Sequence, residues 1–545
     1  MSLDGTSDTP QTVSRSSFAF LSGTFLSRLT GLGRDTIMAI VFGSNPSIAA
    51  FMVAFRFANL IRRLFGESSL SSGFVPHYEQ LRAVSSERGA KFVRDLLFSL
   101  GLFLILLIGA VEIVLWGIWK WGNLQPDNAQ ILYLTILMLP GVLFICLFGL
   151  SCGVLQCERR FFLTGFAPVA FNGVWIVASL LLKGVDPGLA VLPLSFAIIL
   201  AFFMQWAMLA PQTFAMIKRS MTLKDCLSPH LFSPEIRQLI KPFLYGVIGI
   251  GAVQINSALD GVFARCASLE GPAYLWYAIR IEQLPLALFG IALSAALLPP
   301  LSRALKEKAN DRYLKLLRFS FRRSFSLILP CTLGIFVLGL AGINFLYGHG
   351  DFNMQDIRQT AICLWGYGLG LLPSVFVLIL APVFYAEKEF RIPMVGSVAS
   401  VILHVLLTSL FIFVLNWGPF SIAIATSSAA WFNIFFLSYH LAKRVGEPLL
   451  DASVFRSFAK TASCAVIAAI ATLLVGHFFI GDPTLKVAAG HSNVSFVREI
   501  ATQCMHFFAL SGTFVLMCLS YAWMVNAEDV LELIGMKKPF NASLR

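Results

Sequence analysis

A chain of 545 residues that is 57% hydrophobic and only 13% charged, with a mean hydropathy of +0.77, cannot form an ordinary soluble domain. It reads as an all-α polytopic membrane protein. The net charge of +12 does not indicate nucleic acid, because the cations fall in short loops between apolar runs, and the ten cysteines are scattered without zinc or redox spacing.

Residues 1–16 are polar and show no cleavable signal pattern. Apolar segments of spanning length then recur near 18–43, 47–73, 95–119, 131–156, 161–182, 188–210, 239–268, 271–298, 324–347, 358–385, 392–415, 418–441, 457–480 and 502–525, which predicts about fourteen helices. The loops alternate in charge. One set holds Arg82, Arg88, Lys91 and Arg94, then Arg159 and Arg160, Lys218 to Lys241, Arg303 to Arg323, Lys388 and Arg391, Lys443 and Arg444, and Lys537 to Arg545. The other set holds little beyond Lys120, Lys183, Lys486 and Arg498, so both termini are expected on the cytoplasmic side of a bacterial inner membrane. The stretch LSRALKEKANDRYLKLLRFSFRR can be read in two ways, as an amphipathic helix on the inner surface or as a solvated basic loop.

The first two spans are unusual. They carry Ser27, Arg28, Arg34, Asp35, Arg56, Asn59, Arg62, Arg63 and Glu67 at or near membrane depth. A charge at the bilayer centre costs at least roughly 2.5–3.5 kcal/mol, so such residues usually face a watered cavity and serve transport. Helical spacing puts Arg28 and Asp35 on one face and Arg56 and Arg63 on another, with Asn59 within a turn of the latter pair. Gly31 and Gly33 offer a place for the first helix to bend. The plainer alternative is that arginines near a helix end snorkel to the surface or pair only with neighbours.

A shift of 224 residues lays AFRFANLIRRLFG on AIRIEQLPLALFG, pairing Arg56 with Arg280 and Gly66 with Gly290; a shift near 229 lays CERRFF on AEKEFR. The offset spans six helices, an even number, so the repeats are parallel. The predicted layout is a tail at 1–17, an N-lobe of six spans at 18–210, a linker at 211–238, a C-lobe of six spans at 239–445, two added spans within 446–526 and a tail at 527–545. The second lobe contributes Asp260, Arg265, Arg280, Glu282 and Gln283 to its first two spans, and two such lobes are expected to meet around a cationic midplane site.

SRLTGLGRD, FRFANLIRRLFGESSLSSGFVP, GFAPVAFN, AIRIEQLP, FGIALSAALLPPLSR and APVFYAEKEFRIP together resemble the MurJ (MviN) family of lipid II flippases, within the MATE-like exporter superfamily. The resemblance covers about residues 15–445. It implies a V-shaped pair of lobes that exports the undecaprenyl-pyrophosphate-linked peptidoglycan precursor. It also implies that Ser27, Arg28, Arg34, Asp35, Asn59, Arg62 and Arg280 line the central cavity, while the last two spans form a groove for the lipid tail. The sequence departs from that pattern in places: Ala49 and Ala50 stand where an acidic residue is common, and the acidic position after Arg280 falls on Gln283 with Glu282 one residue earlier.

Substrate binding is therefore expected at Arg28, Arg34, Asp35, Arg62 and Arg280, with Ser27, Arg56, Asn59, Glu67, Glu282 and Gln283 as a secondary lining. Arginine grips phosphate oxygens bidentately, and an inside-negative potential favours outward movement of an anion by about 2.3 kcal/mol per charge per 100 mV. No bound cofactor is expected. A coupling monovalent cation remains open, at Asp260 with His404 and Thr408 should the fold unite them; the plainer readings are ion pairing for Asp260 and a satisfied core histidine for His404. No Walker loop, HExxH pair or nucleophile elbow is present, which argues against an enzyme. The alternatives are a MATE-like drug antiporter, disfavoured by the arginine excess, and a flippase for another polyprenyl-pyrophosphate glycan, which charge alone cannot separate. A monomer with transient contacts to cell-wall synthesis proteins is expected.

Overall fold

In the computed structural model, the described residues are 10–64, 68–226, 228–291, 300, 301, 303, 304, 307, 310–387, 389–445, 449–480 and 493–532. All regular elements among them are helices. The chain divides into two compact units, Met1–Arg265 and Cys266–Arg545.

The first unit holds α1 (Pro10–Phe42), α2 (Pro46–Arg62), α3 (Ser68–Val84), α4 (Ser86–Trp121), α5 (Pro126–Met138), α6 (Gly141–Cys157), α7 (Phe161–Phe166), α8 (Pro168–Leu181), α9 (Pro187–Ala207), α10 (Ala210–Ser220), α11 (Leu223–Cys226) and α12 (Pro234–Ala267). Proline opens α2, α5, α8 and α9, where its missing N–H costs nothing. Gly43, at a φ of 59°, closes α1, and the Asn45 side chain accepts from the Ser47 N–H to start α2, so the NPS connection is a tight turn. α1 runs unbroken through Gly31 and Gly33. It crosses α7 at a pair of glycines: a Cβ on Gly23 would stand 2.7 Å from the Phe162 carbonyl oxygen, and one on Gly165 would stand 2.8 Å from that of Phe20. Only glycine allows this backbone approach.

The second unit holds α13 (Gly271–Pro285), α14 (Asn310–Tyr347), α15 (Met354–Ala386), α16 (Arg391–Phe413), α17 (Phe420–Val445), α18 (Ala452–Val475), α19 (Asn493–Met524) and α20 (Glu528–Leu531). Asn353 and Asp356 form a capping box that opens α15. Ser427 of α17 donates to the Gly366 carbonyl of α15 at 2.6 Å, a close packing of small residues suited to helices in lipid. The added helices are tied to α14 along its length: Phe325 stacks on Phe458 at 3.9 Å, Phe345 on Phe507 at 5.0 Å, and Cys464, Phe514 and Cys518 pack with Leu333 and Val337.

Among the described residues nine helical segments are long and apolar enough to cross a membrane, and α5 with α6, bent by 48°, makes a tenth. The remaining predicted spans are α1, α2, α12 and α13, the first two of each repeat. These are the helices that carry the polar candidates. α2 and α13, at 17 and 15 residues, are shorter than any of the nine.

Two features differ from expectation. From Asn310 on, the basic stretch before span 9 is not a separate surface helix: α14 begins there and runs for 38 residues, about 57 Å, through the arginines into the apolar span. Those arginines are engaged by acids and carbonyls of the added helices, with Arg318 3.2 Å from Asp451, and Arg323 donating to the Asp529 carbonyl, while Ser457 donates to the Asp529 carboxylate. The other feature is α12, which the repeat assigns to the second lobe. It packs within the first unit, where Arg265 donates to the Pro46 carbonyl at 2.9 Å and pairs with Asp127 at 3.2 Å, and Arg63 donates to Gln254 at 3.1 Å.

A candidate cationic transport site

The polar residues of α1 do not all face one way. Arg34 and Asp35 are buried, 7% and 1% exposed. The Arg34 Nε and Nη2 donate to Asp35 Oδ1 at 2.9 and 2.7 Å, and Nη1 donates to Asn172 Oδ1 at 3.1 Å. The guanidinium plane also lies 4.5 Å from the Trp175 ring centre. Asn172 completes the network, its Nδ2 donating to the Ser27 carbonyl and to Thr30 Oγ1, each at 3.0 Å. Around it, Trp175 meets Phe51, Phe55 and Phe171 edge to face. This is a desolvated ion pair with its hydrogen bonds satisfied, which fixes α1 against α8.

Arg28 behaves differently. It is exposed and makes no hydrogen bond or ion pair among the described residues. On α2, Arg62 is half-buried, its Nε donating to Asn59 Oδ1 at 2.8 Å; the spacing offers Asn59 to Arg56 and Arg63, and Arg63 instead donates to Gln254. Arg56 is half-buried, and its stem lies against Gly261 of α12, where a Cβ would meet Arg56 Cδ at 3.5 Å. Asp260, next to Gly261, is half-buried in the same unit. Arg265, five residues on, is engaged by Asp127 and the Pro46 carbonyl. Glu67 lies outside the described residues.

On α13 of the second unit, Arg280 is half-buried with its guanidinium 4.5 Å from the Trp276 ring centre one turn back. Glu282 is buried and Gln283 exposed, so the residue that shares the accessible side is the amide and not the carboxylate. A π turn occurs in both of the stretches matched by the 224-residue shift. α2 widens into a π turn at Arg63–Leu64, and α13 does the same at Leu286–Ile291, the stretch 224 residues on.

His404 and Thr408 come together on α16, joined by Thr426 of α17: His404 Nε2 lies 3.3 Å from each hydroxyl, and His404 is 2% exposed. Thr426 also donates to the Ile422 carbonyl, so the imidazole is held between two hydroxyls within the helix pair. Asp260 belongs to the other unit. Among the described residues no group of three or more His, Cys, Asp or Glu side chains is arranged to hold a metal ion.

Asn172, Trp175, Thr426 and Asp127 were not among the sequence candidates. Asn172 ends the GFAPVAFN motif, and its position there was the available signal; the other three carry none.

Comparison with known proteins bears on the whole chain. The family model described as lipid II flippase MurJ matches residues 38–487. A probable lipid II flippase MurJ of Chlamydia muridarum is 30% identical over 529 residues, 96% of this chain and 96% of the relative. The lipid II flippase MurJ of Burkholderia cenocepacia is 29% identical over 431 residues, covering 77% of this chain and 82% of its own. Among solved structures, a lipid II flippase MurJ in an inward closed conformation superposes with a TM-score of 0.67 over 91% of this chain and 98% of the other, at 22% identity. An inward-facing multidrug resistance MATE family transporter of the MOP superfamily gives a TM-score of 0.61 over 79% and 98%, at 18% identity. The two structures establish a shared fold of the MATE type. With a family match over most of its length and a relative 30% identical from end to end, this multi-pass membrane protein belongs to the lipid II flippase MurJ family.

Proposed function

We propose that this protein moves lipid II, the undecaprenyl-pyrophosphate-linked precursor of peptidoglycan, from the inner to the outer leaflet of the bacterial inner membrane by alternating access. Family membership supports the cargo. The observation that carries the mechanism is Arg28, an exposed cation without a partner among the described residues, on a membrane-length helix. A pyrophosphate offers such a cation a multidentate, doubly charged ligand, which a cationic drug does not. Arg28, Arg62 and Arg280 contact the pyrophosphate. Arg34 and Asp35, closed in beneath Trp175, act by holding α1 in place, and Ser27, Arg56, Asn59, Glu67 and Gln283 line the path. Buried Glu282 tunes α13 from behind.

The protein works as a monomer with both termini cytoplasmic, in transient contact with cell-wall synthesis proteins, and catalyses no covalent step. Outward movement of the anionic headgroup runs down an inside-negative potential, at about 2.3 kcal/mol per charge per 100 mV. Asp260 is the residue to test for a coupling monovalent cation; transport by Asp260→Asn that keeps the cation dependence of the wild type removes it from that role. His404, its Nε2 committed to two hydroxyls, is a packing residue.

Binding of purified protein to lipid II, measured by native mass spectrometry, tests the assignment. Wild type should retain lipid II more tightly than undecaprenyl monophosphate, and Arg28→Ala and Arg280→Ala should each lose that preference. Equal retention of a polyprenyl-pyrophosphate bearing an unrelated glycan would overturn lipid II as the specific cargo, and undiminished binding by both variants would overturn the arginines.

A further inference from the structure

α4 presents to its surroundings a seam that is largely bare among the described residues, met only at its end, where Trp119 lies 5.6 Å from the Tyr133 ring of α5. Its Val93, Leu100, Leu104 and Ile108 are buried against the rest of the unit. On another side, Ile105, Gly109, Glu112, Trp116 and Trp119 follow one another at spacings of four, three, four and three residues, the repeat by which one helix packs along a second in a left-handed pair. Ile105, Trp116 and Trp119 are 55%, 47% and 38% exposed, and a Cβ built on Gly109 meets nothing within 4 Å. Bare apolar surface of this kind suits lipid. Glu112 does not.

Glu112 is half-buried and makes no hydrogen bond or ion pair among the described residues. It stands nine residues before Trp121, about 14 Å down the helix from its tryptophan-bearing end, which is too far for a short carboxylate to reach the interface. That end is marked as interfacial by Trp116, Trp119, Trp121 and Tyr133, and Lys120 is held 4.9 Å over Trp116 with no ion pair to Glu112 among the described residues. A carboxylate at such depth is stable when a cation meets it there, and Gly109, one turn away, lets another backbone come close.

We propose that this seam docks a membrane-spanning helix of another protein that carries Lys or Arg at the depth of Glu112. The partner helix lies along Ile105, Gly109 and Trp116, and its cation pairs with Glu112. The surface lies apart from the residues assigned to transport, so it serves association and leaves the flipping step intact.

The test uses the full-length protein, labelled and reconstituted in phosphatidylcholine vesicles with a labelled 23-residue poly-Leu/Ala helix that bears one Arg nine residues from the matching end, and a control helix with Gln there. Energy transfer should report binding of the Arg helix about 3- to 30-fold tighter than the Gln helix, the range expected of one interhelical polar contact. Glu112→Gln should abolish the difference, and Gly109→Leu, which meets open space and so folds normally, should weaken both helices. Equal binding of the two helices, or an Arg preference that survives Glu112→Gln, overturns the proposal. So does energy transfer between two copies of the protein that Glu112→Gln removes, which would make the occupant a second copy.

Discussion

Two arginines on one helix, six residues apart, lead opposite lives. Arg34 is sealed beneath Trp175 with Asp35 and Asn172 taking up its donors, while Arg28 stands exposed with no partner among the described residues. The difference teaches that an intramembrane charge is not by itself a binding group. What separates the two is whether the protein has already satisfied the cation. A satisfied guanidinium fixes structure; an unsatisfied one is available to a ligand.

The largest effects should follow from breaking the sealed pair. Arg34→Ala or Asp35→Ala leaves an uncompensated buried charge, and each should cost about 3–5 kcal/mol in denaturation of the detergent-solubilised protein. The double change Arg34→Met with Asp35→Leu sharpens the contrast, because removing both charges should restore most of that stability. If it restores lipid II binding as well, Arg34 is structural; if stability returns and binding does not, Arg34 touches the headgroup. Arg28→Ala should behave in the reverse sense. Its stability should stay within about 0.5 kcal/mol of wild type, while its affinity for lipid II falls by about 1.5–3 kcal/mol, or ten- to over a hundredfold. A smaller effect is expected at Trp276, over which Arg280 lies: Trp276→Phe should weaken binding only by about 0.5–1 kcal/mol if the ring merely steadies the cation.

The smallest effect concerns pH. The Arg444 guanidinium, donating to Glu389 at 2.8 Å, is the main cause that holds this carboxyl below its usual range. A depressed carboxylate contributes above its ordinary pKa and ceases to as pH falls through the lowered value. The contact between α17 and the turn before α16 should thus persist from neutral pH to below the ordinary glutamate range. Cross-linking of cysteines placed at positions 389 and 443 in an otherwise cysteine-free chain would not read it, since Glu389 is lost; hydrogen exchange at residues 389–392 would, and should rise only in strong acid.

Much of this was legible in the sequence. The spans follow from runs of apolar residues, and the repeat was readable because Arg56 and Arg280 sit in matching motifs on helices that end alike. Local pairing was readable only in kind: spacing offered Asn59 to Arg56 and Arg63, and the arginine that takes it is Arg62. Longer partnerships were not. Arg34 meets Asn172 across 138 residues, and its bond to adjacent Asp35 defies helical spacing, because a long side chain can fold back where two short ones could not. Asp127 gave no sign that it would hold Arg265, since an acid in a loop between spans reads as solvated. The continuity of α14 through its basic stretch was hidden because its counter-ions, Asp451 and Asp529, arrive from helices more than a hundred residues later.

The claim at the centre is that Arg28 of α1 and Arg280 of α13 carry lipid II outward. It is tested most directly in a bacterium depleted of its own lipid II flippase, with outer-leaflet lipid II assayed in cells that make this protein, Arg28→Ala or Arg280→Ala at equal membrane abundance. Wild type should restore outer-leaflet lipid II and growth, and each variant should fail to do so. Wild-type protein that inserts normally and moves no lipid II, or variants that move it as well as wild type, would contradict the account.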